Sequence, residues 1–168
     1  MKIKVNIPTS LSDIKLSQYK KFLKIQENND DETFLQAKMI EIFCSIPLKN
    51  VMQLKYHDTN EISSILNKMF DSKPKLVEKF NIGNVEYGFH PSLDDLSLGE
   101  YIDLDTYIGD WENMERTMNV LYRPIEHKLK NKYSIKQYEV EGYKDVLDMP
   151  MDAVLSSIFF LWNLGLDL

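Results

Sequence analysis

Apolar and polar positions recur with two different periods along this chain, and the change of period marks its elements. Residues 2–7 (Lys-Ile-Lys-Val-Asn-Ile) alternate strictly, which predicts a short strand closed by Pro8. Leu11 to Ile14 reads as a turn. Ser17 is placed to cap a short helix through Ile25, with Tyr19, Phe22, Leu23 and Ile25 apolar. After the polar linker Asn28 to Asp31, the span Glu32 to Ser45 carries a broad apolar stripe: Phe34, Leu35, Met39, Ile40, Ile42 and Phe43. Pro47 ends that helix. A short helix is expected over Leu48 to Lys55, and Asp58 to Glu61 caps another running to Phe70 with Ile62, Ile65, Leu66 and Met69 on one face.

The period then changes. Residues 76–82 and 85–89 alternate around Gly83-Asn84, a two-residue hairpin signal. Two strands alone are marginal in water, so strand 2–7 is expected to join them. Helical spacing returns over Leu98 to Tyr107 and Glu112 to Tyr122. Glu126 to Lys132 is polar and basic, and Tyr138 to Gly142 reads as a loop or a short edge strand. The last helix, Met151 to Leu164, starts beside Pro150 and is apolar nearly all round, as in a central core helix or one covered by a partner. The expected class is α+β and mainly helical, with about seven helices and a small antiparallel sheet near 2–7, 76–82 and 85–89.

One pattern occurs twice. Ser92-Leu93-Asp94-Asp95-Leu96-Ser97-Leu98-Gly99-Glu100-Tyr101 matches Ser10-Leu11-Ser12-Asp13-Ile14-Lys15-Leu16-Ser17-Gln18-Tyr19 in its Ser, Leu, Asp, Leu and Tyr positions, with Leu96 against Ile14. A proline precedes each copy (Pro8, Pro91) and a helical pattern follows it. Two organisations fit: one compact domain over 1–168, or two pseudo-repeats, about 7–71 and 89–166, joined by a hairpin at 75–90.

Composition narrows the function classes. With 43% hydrophobic residues the chain can bury a core, and its net charge of −6 argues against nucleic acid, whose phosphates reward a basic face. The single cysteine, Cys44, rules out an intramolecular disulfide and a Cys-rich zinc site. It lies in an apolar run and reads as a buried hydrophobe. The N-terminus lacks the apolar core of a signal peptide, and the run Val154 to Leu166 is too short and too interrupted to span a bilayer. No membrane association is expected.

Candidate chemistry is sparse. Asp94, Asp95, Glu100, Asp103, Asp105, Asp110, Glu112 and Glu115 form an acidic stretch with no basic residue until Arg116. Clustered carboxylates can hold Mg²⁺ or Ca²⁺, but Asp103-Leu104-Asp105 lacks the glycine and distal Glu of a calcium loop. A solvated acidic face is the simpler reading, and one that docks a basic partner comes next. Arg123, His127, Lys128, Lys130, Lys132 and Lys136, interleaved with Tyr122, Tyr133 and Tyr138, have the residue types that single-stranded nucleic acid requires. Glu126 and Glu139 dilute that signal, and a solvated helix end complementary to the acidic stretch fits better. His57, His90 and His127 show no metal spacing, and no phosphate loop or nucleophile motif is present. The apolar run Ile158 to Leu164 reads as core, with a partner-binding helix as the alternative. No catalysis, cofactor or metal is expected.

The combination Val85-Glu86-Tyr87-Gly88-Phe89, Gly99 to Asp105, Leu121-Tyr122-Arg123-Pro124, and Met149-Pro150 with Phe159 to Gly165 resembles small, mostly uncharacterised proteins of tailed bacteriophages. Some of these are encoded among virion-assembly genes. The resemblance covers about residues 76–166 and implies tail or baseplate assembly, as a tail assembly chaperone or a minor structural adaptor. It implies a location in the host cytoplasm or the virion. It carries over no functional residues. The expected activity is therefore non-enzymatic protein binding, to a viral structural protein first and a host protein second. A small acidic inhibitor of a host protein and a carboxylate-metal enzyme are the alternatives. The residues expected to bind the partner are Asp94, Asp95, Glu100, Tyr101, Asp103, Asp105, Tyr107 and Trp111. Oligomeric state is left open.

Overall fold

A computed structural model describes residues 2–165 of the chain. The fold is α+β and mainly helical, and its contacts divide the chain into two compact units, residues 1–72 and 73–168.

The first unit is helical. A single 3₁₀ turn, Leu11–Asp13, leads into α1 (Leu16–Glu27), followed by α2 (Glu32–Phe43), the one-turn α3 (Leu48–Val51) and α4 (Tyr56–Phe70). The Asp31 carboxylate accepts the Thr33 and Phe34 N–H groups, so a side chain satisfies two of the donors that α2 leaves unpaired at its start. α4 begins earlier than its Asp58–Glu61 cap signal indicates. Lys55 occupies the cap position without a side-chain bond, and Asp58 falls inside the first turn. Aromatic rings knit the helices together. Phe22 meets Phe43 at 5.6 Å, Phe43 meets Phe70 at 5.0 Å, and Tyr19 meets Phe70 at 5.3 Å. Cys44 is buried at the end of α2, and burial pushes its thiol up to about 11, so it behaves as a hydrophobe and not as a nucleophile.

The second unit combines a sheet with three helices: α5 (Leu98–Tyr107), α6 (Met114–Leu121) and α7 (Met151–Asn163). The sheet is β1 (Lys79–Ile82), β2 (Val85–Phe89), β3 (Tyr122–Leu129) and β4 (Lys132–Ile135), antiparallel throughout in that order. Gly83 takes φ +59° in the β1–β2 turn, as the Gly-Asn signal requires.

Residues 2–7 form no strand, which corrects the expected sheet. Ile3, Val5 and Ile7 are half-buried and Lys2, Lys4 and Asn6 exposed, so the alternation is real. Alternation shows which side chains turn inward, and says nothing of which backbone pairs with which. The remaining strands come instead from 122–129 and 132–135, the stretch whose charge reads as loop or helix end. β3 begins in the core at Tyr122 and continues into solvent, where its side chains need not be apolar. β1 starts at Lys79 and not at 76, because the Val77 N–H leaves the ladder to bond the Ser156 hydroxyl of α7.

One face of the sheet is aromatic. Phe80, Tyr87, Phe89 and Tyr122 stack or meet edge-on, and Phe160 of α7 closes on Phe89. Met118, Val120, Leu121, Met149, Met151 and Leu161 are fully buried. On the other face Gly88 leaves a gap. A Cβ there would lie 2.6 Å from the Tyr133 ring and 2.9 Å from Ile125. Through that gap Tyr133 reaches across β3, and its hydroxyl donates to the Phe89 carbonyl of β2. Residue 166, the last of the expected second pseudo-repeat, lies outside the described residues.

Candidate functional site

The two copies of the repeated motif fold alike locally. Each makes a 3₁₀ turn (Leu11–Asp13, Leu93–Asp95) and then starts a helix (α1 at Leu16, α5 at Leu98). In each, the side chain at the third helical position turns back to the residue before the helix. Gln18 Oε1 accepts the Lys15 N–H at 2.9 Å, and Glu100 Oε2 accepts the Ser97 N–H at 3.0 Å. Ser97 completes the capping box by accepting the Glu100 N–H.

From that shared frame α5 departs in both directions. Its inner face carries charge. Glu100 is buried, and its Oε1 accepts from the Arg123 guanidinium at 2.6 Å. Its Oε2 also lies 3.2 Å from His90 Nε2. The Ser92 N–H donates to His90 Nδ1, so the imidazole proton sits on Nε2 and is given to Glu100. Arg123 also donates from Nε to the Lys136 carbonyl and from Nη1 to the Val120 carbonyl, and its guanidinium lies over the Tyr138 ring. Tyr138 in turn donates to Asp103 at 2.5 Å. Burial alone would push the Glu100 carboxyl up. The Ser97 N–H, Arg123 and His90 outweigh it and hold the group below its ordinary range. Burial raises the Tyr138 hydroxyl, and the Asp103 bond raises it further. This satisfied network fastens α5 to β3.

The outer face of α5 is apolar. Leu98, Tyr101 and Ile102 are 75, 57 and 49% exposed, at the i, i+3, i+4 spacing that aligns side chains on one face, and Asp105 extends the row. The inner face buries Leu104 beside the charged Glu100, while three large apolar groups stay in solvent, a departure from the usual arrangement of a surface helix. The first copy makes the contrast concrete. Leu16, which matches Leu98, is fully buried, and Tyr19, which matches Tyr101, packs on Phe70.

The residues expected to bind a partner therefore separate. Asp94, Asp95, Tyr101 and Asp105 are exposed around the outer face. Glu100 is buried and paired, so it is not surface for a partner; a carboxylate inside a helix reads from sequence as solvated only if its cation is unseen. Asp103 is half-buried on Tyr138, and Tyr107 lies under the Arg116 guanidinium at 5.4 Å. Trp111 is half-buried in the 3₁₀ turn before α6. Sequence reasoning passed over Leu98 and Ile102, although the 98/101/102/105 spacing was there to read. It also passed over the Glu100–Arg123 pair, which no local pattern encodes.

Two residues apart on a helix point to nearly opposite sides, so Asp103 and Asp105 do not share a cation position. The histidines do include one clustered case, against the expectation of none. His57, Asp58 and Glu61 bring ligand atoms within 4.8 Å of one another on the exposed first turn of α4. The basic stretch forms the β3–β4 hairpin and not a helix end. Its Tyr122 is buried, Tyr133 lies beneath Lys79 and Tyr138 beneath Arg123, so none of the three stands free as a stacking platform. In α7, Leu161 is core while Trp162 is exposed, as is Leu164 just beyond the helix. Phe159, Phe160 and Trp162 line an open groove with Lys73 to Leu76. No described helix is long and apolar enough to cross a membrane.

No family model, curated protein or solved structure matches this chain.

Proposed function

We propose that the protein is non-enzymatic and acts by binding another protein through the outer face of α5, as a structural or assembly component of a bacteriophage particle. The observation that carries the binding part is the exposure of Leu98 and Tyr101, with Ile102 beside them, where the matched Leu16 is buried and the matched Tyr19 packs on Phe70. Apolar side chains grouped on one helix face, with exposed Asp105 on that face and exposed Asp94 and Asp95 in the turn before it, have the composition of an interface, which combines apolar and polar groups. The buried Glu100–Arg123 network supports the same reading, because it holds the helix in one orientation before any partner arrives. The viral setting rests on the sequence resemblance to tailed-phage proteins.

The test is co-purification of tagged protein from the cells in which it is made. The double variant Leu98→Ser/Ile102→Ser is expected to lose a stoichiometric partner while keeping the wild-type circular dichroism and melting temperature. Retention of that partner at wild-type stoichiometry would sink the reading.

A further inference from the structure

The second unit carries both halves of one complementary pair of surfaces. The first is the α5 face: Leu98, Tyr101 and Ile102 in line with Asp105, preceded by Asp94 and Asp95 in the turn that leads into the helix, all exposed. The second is the end of the β3–β4 hairpin. Leu129 is 77% exposed there. The register sets Leu129 opposite Lys132 and His127 opposite Ser134, so Leu129 shares its sheet face with His127 and Lys132. Lys130 occupies the turn between the strands. The hairpin end is thus one apolar side chain set among exposed cations, and the α5 face is an apolar patch set among exposed carboxylates. Lys128 points to the other face and pairs with Glu86, so it is not part of the set.

Within one chain these surfaces do not meet, since both remain open to solvent. We propose that the α5 face is the docking site for the β3–β4 hairpin of a second copy of this chain. This rests on the reading of α5 as a protein-binding surface and names its occupant. Leu129 enters the patch formed by Leu98, Tyr101 and Ile102. Lys130 and Lys132 meet Asp94, Asp95 and Asp105. Charge complementarity selects this occupant over a copy of the α5 face itself, where carboxylate would oppose carboxylate. The contact joins two different surfaces, so it closes either reciprocally, as a twofold dimer in which each hairpin enters the other copy's α5 face, or head to tail, as a ring or a filament.

Sedimentation velocity of the full-length protein tests this. The wild type is expected to grow in size with concentration and to do so less at high salt, because exposed charges are screened. Ile102→Glu, on the acceptor, and Leu129→Glu/Lys130→Glu, on the donor, are each expected to sediment as monomers with unchanged circular dichroism. Mixed, they retain one intact donor and one intact acceptor between them. They are expected to form a one-to-one dimer and nothing larger. A wild type that stays monomeric at every concentration overturns the proposal, as does a mixture that stays monomeric. If the wild type is monomeric and Leu98→Ser/Ile102→Ser still loses its co-purifying protein, the second copy is overturned as occupant while the binding reading stands. If that variant keeps its partner as well, both fall.

Discussion

The same ten-residue motif is solved twice in this chain, once with an amide and once with a carboxylate. In the first unit Gln18 closes the helix start on Lys15, and its Nε2 donates to the Ile42 carbonyl near the end of α2. In the second unit Glu100 closes the start on Ser97 and reaches Arg123, just beyond the end of α6. One helical position thus does two jobs in both places: it caps its own helix and ties it to a later element. The difference lies in what each tie demands. A neutral amide bonding a carbonyl requires no further partner. A buried carboxylate must be neutralised, and Arg123 and His90 meet that demand. The amide leaves its helix free to bury Leu16, whereas the charged network anchors α5 by its inner face and leaves Leu98 and Tyr101 outside.

The comparison can be broken most sharply at Arg123. Arg123→Ala strands Glu100 as an uncompensated buried charge and should destabilise the second unit by about 3–5 kcal/mol. Urea unfolding followed by tryptophan fluorescence reads it, since Trp111 and Trp162 both belong to that unit. Glu100→Gln/Arg123→Met, which gives the second motif the neutral chemistry of the first, should recover most of the loss. A close second is Leu16→Ala, which empties a fully buried site and should cost about 2–5 kcal/mol, read by helix ellipticity in urea.

Acid perturbs the same cluster more gently. Glu100 titrates below its ordinary 4.5 in the folded protein, so its contribution is complete above that value. It is lost as pH falls through the lower, folded value. Gln18 does not titrate. Tryptophan-detected stability should therefore drop below about pH 4.5 more steeply in the wild type than in Glu100→Gln/Arg123→Met; equal slopes would remove the distinction. Gln18→Ala removes two neutral hydrogen bonds and should cost about 1–2 kcal/mol. The smallest effect is the most informative for function. Leu98→Ala should change stability by less than about 0.5 kcal/mol, against the large cost at Leu16, its matched position.

The helices were legible because their signals are local. α2 announces itself through a stripe of apolar side chains, a capping aspartate and a terminating proline, and α5 has the bounds its pattern predicts. The sheet was half legible. The Gly83-Asn84 turn marks β1 and β2, while β3 extends beyond the core and lacks the apolar alternation by which a strand is recognised, and β4 alternates over only the four residues Lys132–Ile135. The candidate site divides the same way. Tyr101, Asp94, Asp95 and Asp105 could be named because exposed acidic and aromatic residues stand out in a sequence. Glu100 could not be separated from them, because what removes it from the surface is an arginine 23 residues away along the chain.

The gap at Gly88 bears on how quickly and tightly the hairpin can be held by anything it meets. With Tyr133 clipped to the Phe89 carbonyl, and the Lys136 N–H bonded to the Pro124 carbonyl at its root, the arm is a cantilever clamped at one end. An arm that hinged freely would surrender its swing on every encounter. This one has given up that motion during folding, so the entropy lost on docking is confined to the few side chains at its tip.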